Sequence, residues 1–257
     1  HEQNARPGLA NKVGARNARV VALTFPSSPL KARNGDTVVT GLPLRAAIAE
    51  LASRRADAQG AAQARREAAE RLGVAPEAPT LLVTGGSLGA LHVNESMTGA
   101  ADALPEGAQV VHLTGRGKDE PVRAAVEAAG LSDRWHVIDY LTTMEDALAV
   151  ADLVVCRSGA GTVAEMEALG LPCIYVPLPI GNGEQRLNAA DHVAAGGAQL
   201  IDDKDFTADF VRRNVFPLLG STRLADMAAA SQSLGRAGAA RALADLALEQ
   251  VKEGGHE

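Results

Sequence analysis

The 257 residues are 46% hydrophobic, enough to bury one large core or two smaller ones. A net charge of −6 excludes a broad basic face for nucleic acid, and an aromatic content of 3% excludes a base-stacking platform. No apolar run approaches the roughly 20 residues that span a bilayer, and Cys156 and Cys173 lack metal-ligand spacing and read as small buried hydrophobes.

The chain opens on HEQNARPGLANK, a polar, turn-rich stretch with no initiator Met. Such a stretch suits the middle of a domain, so we expect a fragment whose N-terminal part is missing. ARVVALTF reads as a strand, PSSPLKARNGD as a loop, and TVVTGLPLR as a strand and turn whose Pro and Gly mark a domain junction. Residues 45–72, rich in Ala, Arg and Glu, read as helix with a solvated charged face.

From Thr80 the pattern alternates. Strand-like runs TLLVTGG, AQVVHLTG, RWHVIDYL, ADLVVCRSG, LPCIYVPLP and AQLIDD are separated by helix-like segments at 88–103, 118–129, 144–151, 162–169 and 184–196. Short, nearly all-apolar strands between helices predict a doubly wound α/β domain, its parallel sheet covered on both faces. Ligands of such a domain bind at the carboxyl ends of the strands. The Ala-rich tail, 220–254, reads as helical.

Glycine-rich turns follow these strands. GGSLG (85–89) matches a hydrolase nucleophile elbow centred on Ser87, but the late histidines, His192 within a helix-like segment and His256 in the tail, offer no triad partner. The same turn reads as an anion cradle at a helix N-terminus, or as a tight turn alone. It is no P-loop, because no Lys follows the last glycine.

CRSGAGTVAE (156–165) carries Gly159, Gly161 and Ala164 in dinucleotide-fingerprint spacing. That fingerprint needs an acid at the end of the next strand, and CIYVPLPIG has none, which disfavours NAD. Glu165, read in the first turn of the following helix, is placed to accept both hydroxyls of a ribose, or simply to complement the helix dipole. PIGNGEQRLNAA (179–190) adds Glu184, Gln185 and Asn188, which suit sugar hydroxyls or ordinary caps. Three polar turns at the ends of parallel strands point to a nucleotide-sugar crevice.

In this order, HEQN..PG..NK, TG.P.R, GGS.GA, ADLVVCRSGA.T..E....G.P.I.VPLP and EQ..NA resemble the MurG family of two-domain, GT-B glycosyltransferases over essentially the whole chain. These bacterial enzymes move N-acetylglucosamine from its UDP donor to lipid I, forming lipid II for peptidoglycan, by an inverting, metal-independent mechanism. The resemblance implies a Rossmann-like donor domain at 44–231, a remnant of a second α/β, acceptor-binding domain at 1–43, and a C-terminal helix and tail at 232–257 packing back toward that remnant. It implies Glu165 on the ribose beside the backbone of Ala160, Gly161 and Thr162, and Leu141 backbone groups at the uracil edge. Ser87 and Arg45 would bind the diphosphate, Gln185 with Glu184 the sugar hydroxyls, and Asn4 would approach the sugar from the other domain, with His1 structural. It implies no cofactor or metal, a general base in a glycine-rich loop that this sequence does not contain, and a peripheral place on the cytoplasmic face of the membrane through the missing domain. A non-catalytic donor-binding subunit is the alternative. Leu88, Leu42 and the GNGEQ turn depart from the family pattern.

Overall fold

The computed structural model describes residues 1–86, 89–180 and 182–254. Helix α1 (Leu9–Gly14) and strands β1 (Val20–Leu23) and β2 (Asp36–Val39) form a small N-terminal unit. Its two strands pair in parallel, and Glu2 bridges to Leu23. Helices α2 (Ala46–Arg54) and α3 (Ala58–Leu72) lead into a larger alternating unit. It runs β3 (Thr80–Thr84), α4 (Leu91–Thr98), β4 (Gln109–Leu113), α5 (Asp119–Ala128), β5 (Trp135–Ile138), α6 (Met144–Val150), β6 (Leu153–Cys156) and α7 (Ala160–Leu169). It continues with β7 (Cys173–Tyr175), α8 (Glu184–Asn188), α9 (Ala190–Ala194), β8 (Ala198–Leu200), α10 (Ala208–Phe210), α11 (Thr222–Gln232) and α12 (Ala239–Gly254).

The six strands β3 to β8 lie in the order β5-β4-β3-β6-β7-β8, every pairing parallel. The doubly wound expectation is thus borne out. From β3 the chain winds outward to β5, then returns to the middle to begin β6. The crevice between the ends of β3 and β6 is therefore the topological switch point. Both faces of the sheet are covered: Leu82 and Val154 join the core beneath α2, α3, α6 and α7, while Leu81, Val83 and Val155 join the core on the opposite face. Burial on both faces is the physical reason the strands read as continuous apolar runs rather than alternating ones.

The N-terminal half of the crevice depends on one close approach. Gly89 has φ +66°, and a Cβ there would stand 2.1 Å from the Thr114 carbonyl oxygen. The turn after β3 therefore rests on the turn after β4, and only glycine permits both the backbone and the contact.

Several expected helices differ. The 45–72 segment breaks into α2 and α3 because Asp57 caps the second helix, its carboxylate accepting the Gly60 N–H at 2.8 Å. Nor is its charge merely solvated. Arg65 clamps both oxygens of Asp152 (2.8 and 2.9 Å) and the carbonyls of Pro76 and Ala78. Arg71 bonds the buried Asp146, and Arg55 reaches the Leu169 carbonyl at 2.9 Å. The 88–103 segment forms α4 and a short 3-10 turn at Ala101–Ala103; 184–196 divides into α8 and α9; and the tail divides into α11 and α12.

Candidate nucleotide-binding site

At the switch point lies a cavity of ≈ 240 Å³. Its wall comes from the carboxyl ends of four neighbouring strands: Thr84 closes β3, Leu113 closes β4, Asp139 to Leu141 follow β5, and Cys156 with Arg157 ends β6. Thr162, Glu165 and Met166 line it from α7, and Arg45 reaches it from just before α2. The volume lies below the roughly 300–1,000 Å³ of pockets for drug-sized ligands, so it suits one part of a nucleotide sugar rather than the whole.

Four of the residues expected to bind a donor, Arg45, Leu141, Thr162 and Glu165, thus share one cavity. Two of them touch. Arg45 Nε donates to Glu165 Oε1 at 3.0 Å, and Nη2 of the same guanidinium lies 2.9 Å from that oxygen as an ion pair. The Glu165 side chain is 16% exposed and that of Arg45 56%. Burial pushes the Glu165 carboxyl above its ordinary range, an effect that Arg45 reduces without cancelling.

The position of Glu165 corrects one expectation. Helix α7 begins at Ala160, so Glu165 is its sixth residue and lies beyond the first turn. The helix N-terminus acts mainly over the first turn, so it is the Arg45 guanidinium that counters this charge. The first-turn positions belong to Ala160, Gly161 and Thr162. A Cβ on Gly161 would meet nothing within 4 Å, so the packing of this chain does not demand glycine there.

Asn4, Glu184 and Gln185 do not line the cavity among the described residues; they gather around the neighbouring α8 turn. Gln185 Oε1 accepts the backbone N–H groups of Leu178 (2.9 Å) and Ser158 (3.3 Å), tying the turns after β6 and β7 together. Among the described residues its amide nitrogen makes no hydrogen bond. Glu184 is half-buried in the first turn of α8. Asn4 Oδ1 accepts from Asn188 Nδ2 at 3.2 Å. Asn188 itself, read as a sugar ligand, is 1% exposed and holds backbone instead, so that reading is corrected. Ser87 and Leu88 lie outside the described residues.

The hydrolase reading, which had no triad partner in the sequence, gains none among the described residues. His192 is fully buried, Nδ1 facing the Tyr175 hydroxyl at 2.9 Å and Nε2 the Ser231 hydroxyl at 2.7 Å, while His256 lies outside the described residues. His1 contacts the Gly41 carbonyl at 3.1 Å.

Sequence reading missed Tyr140, Met144, Asp139 and Arg157. Tyr140 carries the Arg116 guanidinium 3.8 Å from its ring centroid. An aromatic residue beside Leu141, in a chain with so few, was the available signal. Arg157 is largely spent as a clamp, donating to the Val176 and Pro177 carbonyls at 3.0 and 3.1 Å and to Asp203 at 2.5 Å. No group of side chains among the described residues is arranged to hold a metal ion.

A parallel sheet in this strand order, with a cavity of mixed polar and apolar lining at its switch point, is a doubly wound α/β domain of the kind that binds ligands at the carboxyl ends of its strands. The glycosyltransferase family 28 C-terminal domain matches residues 80–244, and the chain belongs to that family. A Bifidobacterium longum (strain DJO10A) protein is 48% identical over 260 residues, covering 95% of this chain and 65% of its own length. One from Paenarthrobacter aurescens (strain TC1) is 44% identical over 255 residues, covering 98% and 64%. Both bear the name UDP-N-acetylglucosamine--N-acetylmuramyl-(pentapeptide) pyrophosphoryl-undecaprenol N-acetylglucosamine transferase. The crystal structure of Acinetobacter baumannii MurG superposes with a TM-score of 0.76 at 27% identity, over 96% of this chain and 65% of that one. The chain thus spans about 65% of the length of the relatives it matches.

Proposed function

We propose that this chain is the donor-binding part of a transferase that moves N-acetylglucosamine from UDP-N-acetylglucosamine to lipid I. One observation carries the reading: Arg45, Leu141, Thr162 and Glu165, singled out for nucleotide contacts, converge on the switch-point cavity. The names borne by relatives at 44–48% identity supply the donor and acceptor.

In this reading the uracil meets the backbone at Leu141, the ribose meets Glu165 beside Ala160 to Thr162, and the diphosphate meets Arg45 and Ser87. Glu184, Gln185 and Asn4 face the sugar. The acceptor hydroxyl attacks the anomeric carbon, the bond from that carbon to the diphosphate breaks, and the hydroxyl proton passes to a general base. Charge growing on the departing UDP is offset by Arg45 and by backbone N–H groups at the helix N-termini. No cofactor enters this scheme.

Residues 1–43 belong to the acceptor-binding domain, 44–231 to the donor domain, and 232–257 return toward the first. In support, a Cβ on Gly41 would stand 3.0 Å from the Arg236 side chain and 3.2 Å from that of Ala239. No helix among the described residues is long and apolar enough to cross a membrane. The proposed location is peripheral, on the cytoplasmic face where lipid I is met.

Calorimetric titration of the folded chain with UDP tests the reading. Saturable binding that Glu165→Ala weakens roughly tenfold or more supports it, since a hydrogen bond to a charged group is worth about 1.5–3 kcal/mol. A folded chain that gives no heat with UDP overturns it.

A further inference from the structure

The arrangement of Arg45 against Glu165 holds more than two neighbouring ligand contacts. The hydrogen bond from Nε and the ion-pair contact from Nη2 both end on a single oxygen, Oε1. Among the described residues no bond is made to Oε2. The carboxylate is therefore clamped from one side and open on the other, within a cavity wall where its own side chain is mostly buried. A clamp of this kind has two effects. It orients the carboxylate, and it favours the ionised form where burial favours the neutral acid.

We infer that Arg45 is a positioning residue for the nucleoside end of the site: by holding Glu165 Oε1 it presents Oε2, charged and oriented, to the ribose hydroxyls. This rests on the donor-site reading above and goes beyond it, because there Arg45 acts on the diphosphate alone. The consequence is specific. Loss of Arg45 weakens a ligand that has no phosphate at all.

The groups around Glu165 bear this out. Charge reaches the cavity from Arg45 before α2, from Asp139 after β5 and from Arg157 at the end of β6. Arg157 is engaged by Asp203, and Asp139 carries the same sign as Glu165. Arg45 is thus the cation paired with the carboxylate, and among the described residues it donates to no other group.

The experiment compares uridine with UDP. Uridine affinity is followed by NMR titration at neutral pH and at successively lower pH, as far as the fold persists by circular dichroism, for the unchanged chain, Arg45→Gln, Arg45→Lys, Glu165→Gln and the double variant. Arg45→Gln is expected to weaken uridine roughly tenfold. The loss should deepen as pH falls, because burial favours the neutral acid once the guanidinium is gone. Arg45→Lys should recover part of the affinity and most of the pH independence. In the double variant the Arg45 substitution should add almost nothing to the Glu165→Gln loss, the signature of two residues acting as one unit.

Uridine affinity unchanged in Arg45→Gln, with UDP affinity reduced, overturns the inference and leaves the donor site standing with Arg45 as a phosphate contact only. An unchanged chain that binds neither ligand overturns both. Additive losses in the double variant, or a loss that ignores pH, likewise overturn the coupling.

Discussion

Asn188 Oδ1 accepts the Ala5 backbone N–H at 2.8 Å, while its Nδ2 donates to Asn4 Oδ1 at 3.2 Å and to the Ser158 carbonyl at 3.4 Å. One side chain on α8 thus joins the opening segment of the chain to the turn that follows β6. An amide that read as a sugar contact is instead a buried peg.

Asn188→Ala removes these bonds and strands the Ala5 N–H beside a small cavity. A loss of about 1–3 kcal/mol is expected from leaving a buried polar group without its partner. The urea midpoint should fall accordingly. A midpoint that does not move would show that the contact contributes nothing to stability.

The Arg65–Asp152 clamp fastens α3 beneath the amino end of the sheet, where Asp152 Oδ2 also accepts the Thr80 N–H at 2.8 Å. Arg65→Met keeps much of the stem but leaves the Asp152 carboxylate and two carbonyls short of donors. We expect roughly 2 kcal/mol of destabilisation, measured by urea unfolding, with UDP affinity unchanged because the clamp lies at the end of the sheet away from the cavity.

Glu167, on α7, has a buried Oε1 with no hydrogen-bond partner. Burial, then the Asp191 charge, raises its carboxyl to about 7, against a smaller opposing effect of Arg236. A carboxyl raised on folding contributes stability that is complete below its unfolded value of about 4.5 and lost as pH rises through about 7. Glu167→Gln should therefore stabilise the chain at pH 8 and not at pH 4. Equal effects at both pH values would contradict the assignment.

His112 and His192 titrate in the opposite sense. Burial lowers them to about 3 and about 4, respectively. His112 Nδ1 accepts the Trp135 indole N–H at 3.3 Å, so its proton sits on Nε2 and is donated to Asn94 Oδ1 at 3.0 Å. The stability these neutral rings contribute is complete above pH about 6.5 and is lost as pH falls toward 4. Imidazole resonances that show neither ring protonated at pH 5.5, together with a falling urea midpoint below pH 6.5, are expected. Protonation of either ring near pH 6.5 in the folded chain would contradict this.

The sheet and its winding were legible because strands buried on both faces must be apolar throughout and must alternate with covering helices. Helix limits were less legible. Asp57 interrupts 45–72 by capping, a choice that a run of helix-forming residues conceals. Glu165 read as a first-turn acid because the expected helix began at Thr162 rather than Ala160, a shift small along the chain but decisive for what balances its charge.

The sequence by itself determined the fold class and drew attention to Glu165 after a glycine-rich turn, because apolar periodicity and glycine spacing are local properties; Arg45, Leu141 and Thr162 were marked by the family resemblance alone. Which of the marked polar groups face a cavity was decided by tertiary structure alone. Asn188 read as a sugar contact until a distant partner, Ala5, and burial gave it a structural place. The Arg45–Glu165 pair lies 120 positions apart in the chain, and only the packing of α2 on α7 brings the two charges together. A side chain's role depends on which groups desolvate and balance it, and those come from elements far away in sequence.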